Sequence, residues 1–200
     1  FGFNAGSALA SSALATSAFA TTHFAAAAGA IGWLAAEKWK TGRPSALGGI
    51  SGAVAGLATV TQGAGFAAPM AGFVYGLVGG LVCFWMVTVA KNKWGYDDSL
   101  DAFGVHGIGG LLGCTLTGIF ATKQVNDLMK GAPLGLVDGN GAQVLNQLMG
   151  AAAGVLFAVV GTFIALKVTG LVTPLRLERH EEVEGMDLVI HGEEGYNLEA

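Results

Sequence analysis

The chain has 200 residues, 52% of them hydrophobic and only 12% charged, with a mean hydropathy of +0.58. Soluble domains carry about 25% charged residues, so this composition excludes an ordinary water-facing exterior and points to helices in lipid. The net charge of −4 is uneven: residues 1–170 hold eight Lys/Arg and six Asp/Glu, residues 171–200 two and eight, an acidic tail that excludes nucleic acid as a partner.

In chain order, residues 1–8 ("FGFNAGSA") have no basic n-region and are not a signal peptide. They are expected to be the end of a preceding helix, in a chain that is part of a longer polypeptide. A membrane-spanning helix needs about 20 mainly apolar residues. Five stretches qualify, at roughly 12–36, 45–62, 68–91, 98–121 and 142–170. Small residues recur at helical spacing within them, as in Gly48, Gly52 and Gly56 or Gly150 and Gly154, which suits close helix–helix packing. The expected fold class is therefore all-α, a polytopic transmembrane bundle over 1–170 followed by a cytoplasmic tail over 171–200.

The loops orient the bundle. "EKWKTGRP" (37–44), "KNKWGYDD" (91–98) and the flank of the last span hold eight basic residues, whereas 61–69 and 122–141 hold Lys123 and Lys130 alone. This bias places the basic loops and the C-terminus in the cytoplasm.

Few residues in the spans can carry chemistry. His106, in "DAFGVHGIGG", lies eight residues beyond Asp98, about 12 Å along a continuous helix and so near mid-membrane. An ionisable residue at that depth reads as functional. Hydrocarbon favours the neutral ring, with one donor and one acceptor nitrogen, able to hold a small polar molecule or pass a proton. The competing reading is a histidine hydrogen-bonded to a neighbouring helix for packing. Asp98 and Asp101 are expected to open the same helix, as caps or as attractors of cations at a pore mouth. His23 follows Thr21 and Thr22 and is expected to be a hydrogen-bonded interhelical histidine. Phe3, Asn4 and Ser7 supply a phenyl ring, an amide and a hydroxyl. Cys83 and Cys114 stand in apolar runs and read as small buried hydrophobes. His180 lies in the charged tail. No nucleophile–base set, metal cluster or phosphate loop is present in the sequence, so neither catalysis nor a cofactor or metal is expected.

The blocks "FGFNAGSALA", "TTHFAAAAGA", "RPSALGGISGAVAGLATVTQGAGFAAP", "DDSLDAFGVHGIGGLLGCTLTGIFA" and "EGMDLVIHGEEGYN", in this order, resemble the ammonium transporter family (the Amt/Mep/Rh group), and its bacterial branch in particular. The resemblance covers essentially the whole chain. It implies an eleven-helix fold of two inverted repeats, of which this chain would be the second, from the end of helix six through helix eleven. It implies a homotrimer in the cytoplasmic membrane with one pore per subunit. His106 would be the second of two pore histidines, Phe3 one of two stacked gate rings, and Ser7 part of the outer vestibule. Asn4, Asp98 and Asp101 would support the pore. In the tail, Gly185, Asp187, His191, Gly192, Glu193 and Tyr196 would belong to the segment that couples subunits and receives a PII-family signalling protein. The first pore histidine and the partner gate ring would lie on helices outside this chain.

The function implied is passage of ammonia after its cation is recruited outside and deprotonated. Two alternatives stand beside it: an ammonium sensor signalling through the tail, and a proton-coupled carrier of another solute. Uptake of methylammonium, and competition by ammonium, separate the three.

Overall fold

The computed structural model describes residues 1–127, 130–193 and 195, which fall into two compact units, Phe1–Ala152 and Ala153–Ala200. The first unit is all helical. A short helix α1 (Gly2–Gly6) precedes α2 (Ala13–Thr41), α3 (Ala46–Val60), α4 (Pro69–Trp94) and α5 (Phe103–Phe120). The last long helix, α6 (Ala142–Thr169), starts in the first unit and ends in the second. By length and composition α2, α4, α5 and α6 can each cross a membrane, while α3 is a shorter apolar helix of 15 residues.

Local chemistry sets the helix ends. Ser12 caps α2 by accepting from the Ala15 N–H at 3.2 Å, and Ser45 caps α3 by accepting from Gly48 N–H at 2.9 Å. Pro69 starts α4, where its missing N–H costs nothing. α2 runs to Thr41, beyond the apolar limit of residue 36, because Lys38 and Lys40 suit the negative end of the helix dipole. Gly42, at φ +84°, stops it. The turn that follows is clipped by Glu37, whose carboxylate accepts from the Ser45 hydroxyl (2.8 Å) and backbone N–H (3.0 Å).

α2, α3 and α4 pack against one another through small residues. A Cβ on Gly56 or on Gly76 would run into the carbonyl of Ala25, so two helices approach the same point of α2. Around this contact lie two apolar clusters, one of Ala25, Val60, Ala67, Tyr75 and Leu116, the other of Trp33, Ala55, Cys83, Phe84 and Val105. The buried hydroxyls of Thr21, Thr22, Thr59 and Thr117 donate to carbonyls four residues back, and Thr117 also accepts from the Tyr75 hydroxyl of α4 at 3.2 Å. Cys83 is buried as expected from its apolar run, but Cys114 is only half-buried.

Alternate loops gather at opposite ends of the unit. At one end Lys40 donates to the carbonyl of Thr88 (3.0 Å) and Lys91 bridges to Asp101. At the other, Thr122 N–H donates to Phe66 O (2.9 Å) and Asn126 to Gly65 O (3.0 Å). Asp138 ties this second end together, accepting from the Lys123 N–H, the Thr122 hydroxyl and the Leu134 N–H. These bonds, the Lys123 amide first, hold its carboxyl below the ordinary range.

In the second unit, a short helix α7 (Arg179–Glu184) is opened by a capping box between Glu178 and Glu181. Gly185 follows at φ +101°, then a wide π turn over Asp187–His191 that Gly192 ends at φ +65°.

Candidate functional site

The segment holding Phe3, Asn4 and Ser7 is folded as one helical turn. Ser7 Oγ donates back to the carbonyl of Phe3 (2.6 Å), and Asn4 Nδ2 donates to the Thr22 hydroxyl on α2 (3.1 Å). The three side chains line a recess of about 360 Å³ at the end of the bundle that carries the 61–69 loop. Thr61, Gln62, Phe66 and Asn126 share its wall, and among the described residues no charged one does. A hydroxyl, amide oxygens and aromatic faces, without a competing cation, make a wall that can receive a small monovalent cation.

His106 is placed differently from the expectation of a continuous helix from Asp98. Residues 98–101 form a turn, and Asp101 adopts φ +55°, a left-handed conformation that Asp tolerates better than most residues. The segment returns alongside α4, and α5 starts only after it, in a π turn over Phe103–Gly107 that contains His106. Depth follows from the neighbours instead. The carbonyl of Val105 accepts from Cys83 Sγ at 3.7 Å. Cys83 stands near the middle of α4, roughly 16 Å by helical rise from Trp94. The imidazole itself is exposed on the face of the first unit and does not line the recess that holds Phe3 and Ser7.

The two aspartates divide the work expected of either. Asp98 Oδ2 accepts from the N–H groups of Phe103 (3.1 Å) and Gly104 (3.2 Å), capping α5 from five residues upstream. Asp101 does not cap: its carboxylate pairs with Lys91 Nζ at 2.7 Å, and the same ammonium donates to the carbonyl of Asp98 at 2.6 Å. His23 differs from its expectation as well. It is exposed, its neighbour is the Phe1 ring with centroids 5.7 Å apart, and the Thr21 and Thr22 hydroxyls bond to other partners, Thr21 to the carbonyls of Ser17 and Ala67, Thr22 to the Ala18 carbonyl and the Asn4 amide.

The tail residues Gly185, Asp187, His191, Gly192 and Glu193 lie together in the second unit, where Glu193 N–H donates to the Asp187 carbonyl at 3.0 Å. Tyr196 lies outside the described residues. Among the described residues no group of three or more His, Cys, Asp and Glu could hold a metal ion.

Sequence reasoning passed over Gln62. Its amide nitrogen donates to the carbonyls of Thr59 (3.1 Å) and Ala58 (3.3 Å), and the residue lines both the recess of Phe3 and a second one of about 320 Å³ bounded by Thr117, Asn140 and Gln143. A single glutamine beyond a helix end carries no pattern that would mark it.

Residues 1–196 match the model of the Ammonium Transporter Family. An ammonium transporter of Bacillus subtilis (strain 168) is 47% identical over 98% of this chain and 48% of its own length. A putative ammonium transporter of Methanothermobacter thermautotrophicus is 42% identical over 99% and 48%. The crystal structure of Saccharomyces cerevisiae Mep2 superposes with a TM-score of 0.79 at 34% identity, covering 89% of this chain and 40% of that one. The chain spans about half the length of the curated relatives it matches.

Proposed function

This chain belongs to the ammonium transporter family, a family of multi-pass membrane transporters rather than enzymes, and from that premise we propose that its parent polypeptide carries ammonium across the cytoplasmic membrane. The chain supplies the second inverted repeat, its C-terminal half, with the basic loops and the tail in the cytoplasm. The observation that carries the reading is the uncharged recess of Phe3, Asn4 and Ser7 at the bundle end opposite the basic loops.

Ammonium is recruited in that recess, where an aromatic face is worth ~0.5–2 kcal/mol to a cation. A charge at the bilayer centre costs far more, from about 2.5 to 17 kcal/mol. Loss of the proton removes most of that cost, so the permeating species past His106 is ammonia, with the ring as its hydrogen-bonding partner and as part of the relay that carries the released proton separately to the cytoplasmic side. Phe3 closes the recess, and Ser7 accepts from the cation. Asp98 holds the start of the helix that bears the histidine. Three such polypeptides assemble, and the tail segment of Gly185, Asp187, His191, Gly192, Glu193 and Tyr196 receives a PII-family protein.

The test is methylammonium uptake by the full-length protein in liposomes, native against His106→Ala, with current recorded in parallel. Native uptake that ammonium competes for, together with a lost current in the variant, is the expected result. Uptake indifferent to ammonium would sink the reading.

A further inference from the structure

Gln62 follows the last turn of α3 and reaches back across the bundle toward α5. Two glycines make room for it. A Cβ on Gly113 would strike both the Gln62 amide and the Thr59 carbonyl, and a Cβ on Gly110 would stand 3.4 Å from the other end of the same amide. With the nitrogen committed to Thr59 O and Ala58 O, the end against Gly110 is the oxygen, an acceptor fixed in direction by two donor bonds.

Gly110 and Gly113 share one face of α5, and His106 precedes Gly110 by four residues, across the end of the π turn. One turn of helix, roughly 6 Å, separates Gly110 from His106. The same glutamine lines the recess of Phe3, Asn4 and Ser7. Its side chain therefore spans from that recess to the turn of α5 next to the histidine.

We propose that Gln62 is a specificity-determining residue of the transport path, its amide oxygen accepting a hydrogen bond from ammonium between the outer recess and His106. This rests on the reading of the chain as part of an ammonium carrier. An amide acceptor suits a donor-rich cation that has left bulk water but still holds its proton. Methylammonium, with one donor fewer and a methyl group in its place, meets the same oxygen less favourably. Gln62 thus discriminates between the two cations before the proton is lost.

The experiment is uptake by the full-length protein in liposomes, with methylammonium as the transported probe and ammonium as competitor. It compares the native protein with Gln62→Met and Gln62→Glu. The Met variant keeps length and loses the acceptor, so KM for methylammonium and the inhibition constant of ammonium both rise, the latter about tenfold or more. The Glu variant keeps an oxygen against Gly110 but exchanges the donating nitrogen for a second oxygen facing the Thr59 and Ala58 carbonyls, so the acceptor loses the bonds that aim it and both constants rise, less than in the Met variant. A residue that only ties off the end of α3 changes the amount of active protein, hence maximal rate, and leaves KM in place. Constants within twofold of native in the Met variant overturn the proposal, as does a rise in KM for methylammonium as large as the rise in the ammonium constant. If the native protein takes up methylammonium normally, such a result leaves the transport reading intact. If the native protein takes up neither cation, both fall together.

Discussion

Glycines at helical spacing occur throughout the long helices, yet they meet different surroundings in α4 and in α6. Gly76 lies against the backbone of Ala25, and a side chain there has nowhere to go. Gly150, Gly154 and Gly161 have open space where a Cβ would stand, and no residue of α6 is buried. The same sequence signal thus meets a partner within this chain in one helix and leaves a face open for a partner in the other. Small-residue spacing reports what a helix permits, and only a partner turns permission into structure.

The sharpest way to break that comparison is a pair of variants of the full-length protein. Gly76→Leu forces α2 and α4 apart and is expected to cost about 3 kcal/mol or more, or to prevent folding. Gly154→Leu is expected to cost less, staying within ~0.5 kcal/mol of native where no residue outside this chain covers that face of α6. Thermal unfolding in detergent measures both. An equal loss at Gly154 would show that α6 is packed against residues outside this chain.

A smaller effect separates the two aspartates that precede α5. Asp98→Ala removes a cap on two N–H groups and is expected to lower stability by about 1 kcal/mol. Asp101→Asn breaks a partly exposed ion pair with Lys91 and is expected to cost less than about 1 kcal/mol, diminishing further in high salt. Denaturant titration at low and high salt checks the order, and the reverse order would reassign the cap.

The smallest effect concerns Asp138. Its carboxyl titrates below the ordinary carboxylate range in the folded chain because the Lys123 amide, and then the Thr122 hydroxyl, bond to its charged form. The stabilisation is therefore complete above the unfolded-state value and is lost as pH falls through the lower folded one. Protection of the Lys123 and Leu134 amides from hydrogen exchange, taken relative to the intrinsic rate at each pH, should hold through mildly acid pH and fall only below the ordinary carboxylate range. A fall above that range would show that another group titrates.

The helices were legible because hydropathy and capping residues agree: Ser12, Ser45 and Pro69 each stand where an apolar run begins. The start of α5 was not, because "DDSLD" followed by apolar residues reads as the first turn of a helix. Nothing local announces that Asp101 will turn back to meet Lys91 and leave Asp98 to cap from a distance. Phe3, Asn4 and Ser7 could be named because the block "FGFNAGSALA" resembles a family motif, and Phe3 and Ser7, four residues apart, meet on one turn with Asn4 beside them. Gln62 could not, since its surroundings are made by α5, some fifty residues away in sequence. Glu37 and Asp138 were missed for the same reason, each being a carboxylate whose partners come from a neighbouring loop.

The wide turn over Phe103–Gly107 has one consequence for the azimuth of His106. A π turn accommodates a surplus residue relative to the ordinary helical repeat, and each residue of an α-helix advances the chain by about 100° around its axis. The direction in which the imidazole points, relative to Gly110 and Gly113, is therefore set partly by chain length in that turn. Deleting a single residue there would straighten the helix while swinging one set of side chains about a quarter-turn past the other. The heading of the ring is thus written in residue number as much as in residue type.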